Sequence, residues 1–157
     1  MTELPHLDES GDARMVDVTG KDVTTRTATA RGRVVVNADV VRLLRSGDLP
    51  KGDALAVARI AAIMAAKHTP DLIPLCHPIA LHAVDVDCTV VDDAVDVVVT
   101  TRTADRTGVE MEALTAVAVA CLAVVDMVKA VDPAATITDI CVLEKTGGKT
   151  GRWTRSS

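Results

Sequence analysis

The chain has 157 residues, enough for one domain with a core of its own. Its 48% apolar content excludes general disorder, and with 1% aromatics, no Phe and no Tyr, that core must be aliphatic and cannot offer single-stranded nucleic acid a stacking platform. A formal net charge of −5 argues against a general phosphate-backbone binder, although a small phosphorylated ligand needs only a local cluster of cations.

The opening MTELPHLDESGDARMVD is polar and acidic and does not read as a signal peptide. Residues 1 to about 30, rich in Thr and Asp, read as an extended arm, and Arg33–Asn37 (RVVVN) as a first strand. A short amphipathic helix follows, with Val40, Val41, Leu43 and Leu44 opposed to Arg42 and Arg45, and Gly47 stops it. The loop Asp48–Asp53 leads into a long helix, Ala54–Lys67, closed by Pro70. A loop, DLIPLCHPIAL (Asp71–Leu81), comes next. Strict alternation over Val84–Val90 predicts a half-buried strand, Asp92-Asp93-Ala94 a turn, and Val95–Thr103 its hairpin partner. Thr107-Gly108-Val109-Glu110 has capping-box spacing and opens a helix to about Val131, which Asp132-Pro133 ends. Thr136–Leu143 is a last strand, and the tail EKTGGKTGRWTRSS is loop-like. The expectation is one domain over residues 1–157, with 1–14 and 152–157 as flexible ends.

Setting the short insert helix aside leaves β-α-β-β-α-β, the order of an α+β, ferredoxin-like sandwich with two helices on one face of an antiparallel sheet. From Ala113 to Val125 the second long helix carries no charge, a run too short to span a bilayer. So apolar a helix belongs in a core or at a subunit interface. A domain this small cannot bury both that helix and the far face of the sheet, so a homo-oligomer is expected. Cys76, Cys88, Cys121 and Cys141 are scattered without a C-x-x-C pair, which suits reduced thiols in a cytoplasmic protein.

The same helix holds the charges most in need of explanation. Asp126 and Lys129 are three apart on one face and can pair, and burial would shift their pKa values. A solvated helix end explains them equally well. At the other end, Glu110 is accounted for by the capping box; Glu112 is not. Glu112 and Asp126 lie about 21 Å apart along the axis, so one subunit cannot bring both to one reacting atom. Two antiparallel copies across a two-fold axis would make a composite site.

Gly147-Gly148-Lys149-Thr150-Gly151 resembles a P-loop only superficially: Leu143 stands where its first Gly belongs, and no helix follows. What remains is a cationic, glycine-rich loop with Lys145 and Lys149, either an anion clamp or a solvated tail. Lys51, Lys21 and Arg26 are further cations on loops. Cys76 and His77 are adjacent in an extended segment, point to opposite sides, and do not form a nucleophile–base couple. His68, His77 and His82 lack zinc-ligand spacing, so no metal site is expected. A substrate wall and a partly buried structural histidine both stay open.

Six segments decide between these readings. MVDVTGK (Met15–Lys21), KGDALAVARIAAI (Lys51–Ile63), DLIPLCHP (Asp71–Pro78), TGVEMEALTA (Thr107–Ala116), DMVKA (Asp126–Ala130) and KTGGKTG (Lys145–Gly151) together resemble the cyclic pyranopterin monophosphate synthase family, molybdenum cofactor biosynthesis protein C. The resemblance spans about Met15 to Gly151, with Thr146 and Thr150 where serines are expected. It implies a ferredoxin-like lyase, hexameric as a trimer of dimers, with active sites between subunits. The implied reaction, in molybdopterin synthesis, rearranges 3′,8-cyclo-7,8-dihydro-GTP to cyclic pyranopterin monophosphate with loss of diphosphate. It implies Asp126 as catalytic acid/base with Lys129 beside it, and Lys51 and Lys145 as active-site cations. Leu75, Cys76 and His77, with Glu110, Met111 and Glu112, would contact substrate; Lys21 and Arg26 would contact phosphate. No cofactor is implied, and magnesium with the triphosphate is not predicted. A small-molecule substrate is expected, with no nucleic acid or membrane partner.

Overall fold

A computed structural model describes residues 4–157. In chain order its elements are β1 (Thr24–Val35), α1 (Ala38–Ser46), α2 (Ala54–Lys67), α3 (Thr69–Leu72), β2 (Leu81–Val90), β3 (Ala94–Asp105), α4 (Glu110–Val128), β4 (Thr136–Thr146) and β5 (Trp153–Thr154). The sheet runs β2-β3-β1-β4-β5, antiparallel at every pairing. Its first four strands follow the ferredoxin-like order, so the predicted α+β architecture stands. Helix α4 packs over β1, β3 and β4, and α2 packs against α4 and β2.

Local chemistry sets the helix ends. The Asn37 side chain accepts from the Val40 N–H at 3.0 Å and opens α1. Gly47, at φ 79°, ends it in the left-handed conformation that glycine adopts without a Cβ clash. Asp53 caps α2 in the same way, accepting from Ala56 N–H at 3.0 Å. Pro70 does not simply close this helix: the backbone turns at His68 and continues as α3, with Pro70 in its first turn. The buried Asp132 accepts from Asn37 N–H at 2.8 Å and Ala134 N–H at 3.0 Å, tying the exit of α4 to the entry of α1.

Small side chains build the core. Helix α2 buries Ala54, Ala58, Ala62, Ala65 and Ala66, while α4 buries Ala113, Ala116, Val117, Ala120 and Val124. Alanine on both faces lets the helix axes approach closely. By length and composition alone α4 would pass for a membrane span, yet it lies on the sheet with much of its surface buried. Where α4 crosses β1, Gly32 makes room. A Cβ there would sit 2.6 Å from Val117 Cγ1, 3.0 Å from Cys121 Sγ and 3.2 Å from Ile140 Cγ1. Gly32→Ala is therefore expected to lower stability by about 1–3 kcal/mol in urea unfolding. Unchanged stability would show that the crossing is looser than these distances indicate.

Several expectations change. The first strand begins at Thr24 rather than Arg33, so much of the expected arm is sheet. Its outward residues are Thr27, Thr29, Arg31 and Arg33, and that polar alternation hides a strand from a hydrophobicity reading. The outer sheet face is accordingly polar. Arg33 forks onto Asp96 at 2.7 and 3.0 Å, and Thr29 hydrogen-bonds Thr100 at 2.9 Å. It needs less burial elsewhere than expected. The exposed apolar stripe lies instead on α2, where Val57, Ile60 and Met64 project outward and Ile60 is 61% exposed.

The tail is not all loop: β5 pairs with β4, placing Trp153 opposite Lys145 and Thr154 opposite Glu144. Of the expected flexible N-terminus, residues 1–3 lie outside the described residues. Beyond them Leu7 bridges Ala13, and the Asp8 carboxylate accepts from Ser10 and Asp12 N–H groups.

Candidate active site

The loop between α3 and β2 is pinned at both ends. Ile73 N–H donates to Thr69 O at 2.9 Å, Ala80 N–H donates to Asp105 Oδ2 at 3.2 Å, and the Thr103 hydroxyl donates to Ala80 O. This holds Cys76 and His77 against the first turn of α4. As expected, the two do not form a couple. The Cys76 thiol donates to Glu112 Oε1 at 3.5 Å, while His77 Nε2 hydrogen-bonds Val16 O. A carbonyl can only accept, so that ring nitrogen carries the proton. Burial pushes the Cys76 thiol up to about 11, with the carboxylates of Glu112 and Glu110 adding to the shift. It stays a neutral hydrogen-bond donor and not a nucleophile.

Glu112 is the buried carboxylate of this cluster. It is only 2% exposed, and its Oε2 has no hydrogen-bond partner. Burial raises its pKa, the Cys76 hydrogen bond opposes the rise, and the Glu110 charge adds to it. A raised carboxyl pKa favours folding below the unfolded value, a contribution lost as pH climbs through the folded one. Glu112→Gln is therefore expected to gain stability over the native protein as pH rises from 5 to 8, in urea unfolding at both values. Parallel stability curves would contradict this.

The predicted capping box does not form. No side chain caps α4. The Glu110 carboxylate folds back over Gly108, where a Cβ would fall 2.2 Å from Glu110 Oε2, and reaches Lys145 Nζ at 3.7 Å. Glu110 thus joins the expected site through Lys145 instead of serving the helix end.

Three clefts adjoin along this side. A central one of about 310 Å³ includes Val16, Lys21, Leu75, Cys76, His77, Glu110 and Met111 in its lining. Lys21 also lines a second, of about 430 Å³, with Arg26, Gly148 and Lys149. There the glycine-rich loop folds onto β1: Gly147 and Gly148 take positive φ, and a Cβ on Gly148 would strike the Arg26 guanidinium at 2.3 Å. Glu110 also lines a third, of about 320 Å³, with Val142, Lys145, Trp153 and Arg155. Trp153 and Arg155 were not among the predicted site residues, and Lys149 was named only as part of a loop that could clamp an anion. The glycines on either side of Lys149 signalled its loop, but nothing in the sequence showed that β5 returns beside Lys145.

The remaining predicted residues cluster at the far end of α4. Asp126 sits between two ammonium groups, with Lys129 Nζ 2.9 Å from Oδ1 and Lys51 Nζ 3.3 Å from Oδ2. Lys51 also donates to Asp126 O at 2.9 Å. A carboxylate buried within the protomer, one of the two readings open from sequence, is not what the structure holds. The Asp126 side chain is 59% exposed, and hydrogen bonds from Lys129 and then Lys51 hold its pKa below the usual range. Among the described residues nothing encloses it. One protomer therefore brings together Lys21, Arg26, Leu75, Cys76, His77, Glu110, Met111, Glu112 and Lys145, and separately Lys51, Asp126 and Lys129. About 21 Å of helix lies between Glu112 and Asp126. Among the described residues no three His, Cys, Asp or Glu side chains gather as a metal site.

Comparison with known proteins matches the MoaC family model over residues 15–148, which holds every predicted site residue. A cyclic pyranopterin monophosphate synthase from Streptomyces coelicolor is 68% identical over 153 residues, 98% of this chain and 90% of the relative. One from a Nocardioides species is 66% identical over 155 residues, 97% of this chain and 95% of the relative. Cyclic pyranopterin monophosphate synthase 2 of Mycobacterium tuberculosis is 61% identical over 153 residues, covering 98% and 92%. On that coverage, and with its ferredoxin-like sheet, the chain belongs to the MoaC family.

Proposed function

We propose that this chain is a cyclic pyranopterin monophosphate synthase, a lyase of molybdenum cofactor biosynthesis. Its substrate is 3′,8-cyclo-7,8-dihydro-GTP, which it rearranges to the pyranopterin while diphosphate leaves. The observation that carries the reading is the Lys51–Asp126–Lys129 cluster, a carboxylate with an ammonium on each oxygen. Ring opening and reclosure move protons repeatedly, and such a cluster holds both a base and acids ready.

The site is composite. Covering Asp126 with the His77–Glu110 cleft of a second protomer would exclude water from the cluster and strengthen each charge interaction there. Burial by itself raises a carboxylate pKa, and so opposes the depression that Lys129 and Lys51 impose in the exposed protomer. The ring rests on the Leu75–Cys76–His77 loop, with Glu110 and Met111 beside it and Glu112 beneath, joined to the loop through the Cys76 thiol. Lys21 and Arg26 face the phosphates, while Lys145 pairs with Glu110 beside the ring. A hydroxyl oxygen attacks the α-phosphorus and gives up its proton, the bond to the β-phosphate breaks, and diphosphate departs with its charge met by these cations. The reaction as proposed uses no resident metal or cofactor.

A hexamer built as a trimer of dimers suits this arrangement, and the exposed Val57–Ile60–Met64 stripe of α2 with Leu122 of α4 supplies apolar surface for assembly. Four free cysteines fit a cytoplasmic setting. Incubating the purified protein with the cyclised nucleotide and assaying diphosphate release tests the reading. Stoichiometric diphosphate and pyranopterin support it; binding without turnover would make the chain a nucleotide-binding regulator instead.

A further inference from the structure

Trp153 is the chain's one aromatic residue, and the structure spends it beside the proposed site. Strand pairing sets it directly opposite Lys145. The Arg155 guanidinium lies over the ring at 5.7 Å from its centroid and is fixed by donating from Nε to Val142 O at 2.7 Å. The indole remains 40% exposed at the rim of a cleft shared with Glu110, Val142 and Lys145.

The arrangement of clefts gives a bound nucleotide a direction. Lys21 is shared by the His77 cleft and the cleft that holds Arg26 and Lys149, and Glu110 is shared by the His77 cleft and the cleft that Trp153 borders. A triphosphate drawn to the first group leaves the opposite end of the ring system pointing past Glu110 toward the indole. That end of a guanine-derived ring is a flat amino-pyrimidinone whose edge carries N–H donors. A carboxylate can only accept, and the Glu110 contact with Lys145 is long, 3.7 Å from Oε1 to Nζ, so acceptor sites remain for such an edge.

We propose that Trp153 is a specificity residue, stacking on the amino-pyrimidinone end of the substrate while Glu110 accepts hydrogen bonds from its edge. The subsite rests on the functional reading above and extends it to residues 153–155, beyond the matched family region.

With no Tyr and a single Trp, intrinsic fluorescence reports this site alone. Titrating the protein with 3′,8-cyclo-7,8-dihydro-GTP is expected to quench it, and diphosphate alone is not. In steady-state diphosphate release, Trp153→Ala should raise KM on the order of tenfold. Its kcat should stay within about twofold, and Trp153→Phe should keep a near-native KM. Unchanged fluorescence at saturating substrate, or a native KM in Trp153→Ala, overturns the subsite. Quenching by diphosphate alone overturns the ring assignment in favour of a phosphate site. A smaller oligomer with unaltered KM would make Trp153 an interface residue and overturn it too. Native protein that turns over normally while its tryptophan stays silent refutes only this inference. Native protein that releases no diphosphate refutes the functional reading, and the subsite falls with it.

Discussion

Asp126→Ala is expected to abolish turnover, lowering kcat by at least about a thousandfold, within the range for loss of a positioned acid or base. Oligomeric state by light scattering should not change, because the side chain is exposed in the protomer and its ion pairs are with two lysines rather than the core. Substrate affinity should stay within a few-fold, since the ring and phosphate contacts lie at the other end of α4. Asp126→Asn separates the rival readings. It keeps the shape and loses the charge, so a pure binder tolerates it and a catalyst does not. A dissociated oligomer with catalysis preserved would assign Asp126 to assembly.

Lys51→Ala carries the second largest effect. Lys51 holds both the carboxylate and the backbone oxygen of Asp126, so removing it disturbs the position and the charge of the same residue. A fall of about a hundredfold in kcat/KM is expected, through KM and kcat together. Because the Lys51 ammonium helps depress the Asp126 pKa, its loss should move the acid limb of the pH–rate profile upward. Lys51→Arg should restore part of the rate, since it returns the charge without the geometry of a point ammonium. No kinetic change in Lys51→Ala would remove the residue from the site.

Much of the fold was legible because local chemistry and periodicity agree. Asn37 and Gly47 bracket α1, Asp53 opens α2, and the alternation through Val90 and Val95 marks the β2–β3 hairpin. The misses share a cause. Thr24–Gly32 alternates polar threonines and arginines with small residues, so it reads as an arm although it lies between β3 and β4. Strand β5 is two residues long and exists only because its partner is already in place. The capping-box spacing was real, but the helix opens at Val109 and not at Thr107, so Glu110 falls at its first position and meets Lys145, thirty-five positions away, instead of the cap.

The site was legible as a set of residues, not as an arrangement. The acidic and basic positions on α4 and its flanking loops were all named from sequence, and helix geometry already separated Glu112 from Asp126. The Cys76–Glu112 contact was invisible, since it joins a loop to a helix thirty-six positions on. The burial of these groups was not legible either. Asp126, left open between burial and a solvated helix end, is exposed, whereas Glu112, in a first turn that commonly faces water, is enclosed.

The central claim is that catalysis needs the Asp126 end of one protomer against the His77–Glu112 end of another. Co-expressing Asp126→Ala and His77→Ala chains with different tags, then purifying mixed oligomers through both, tests it directly. Each variant alone should be inactive. Random pairing across a two-fold axis puts half the dimers in the mixed form, each with one intact composite site of two, so a co-expressed pool should recover about a quarter of native activity. Mixed oligomers that contain both chains and release no diphosphate would contradict the composite site.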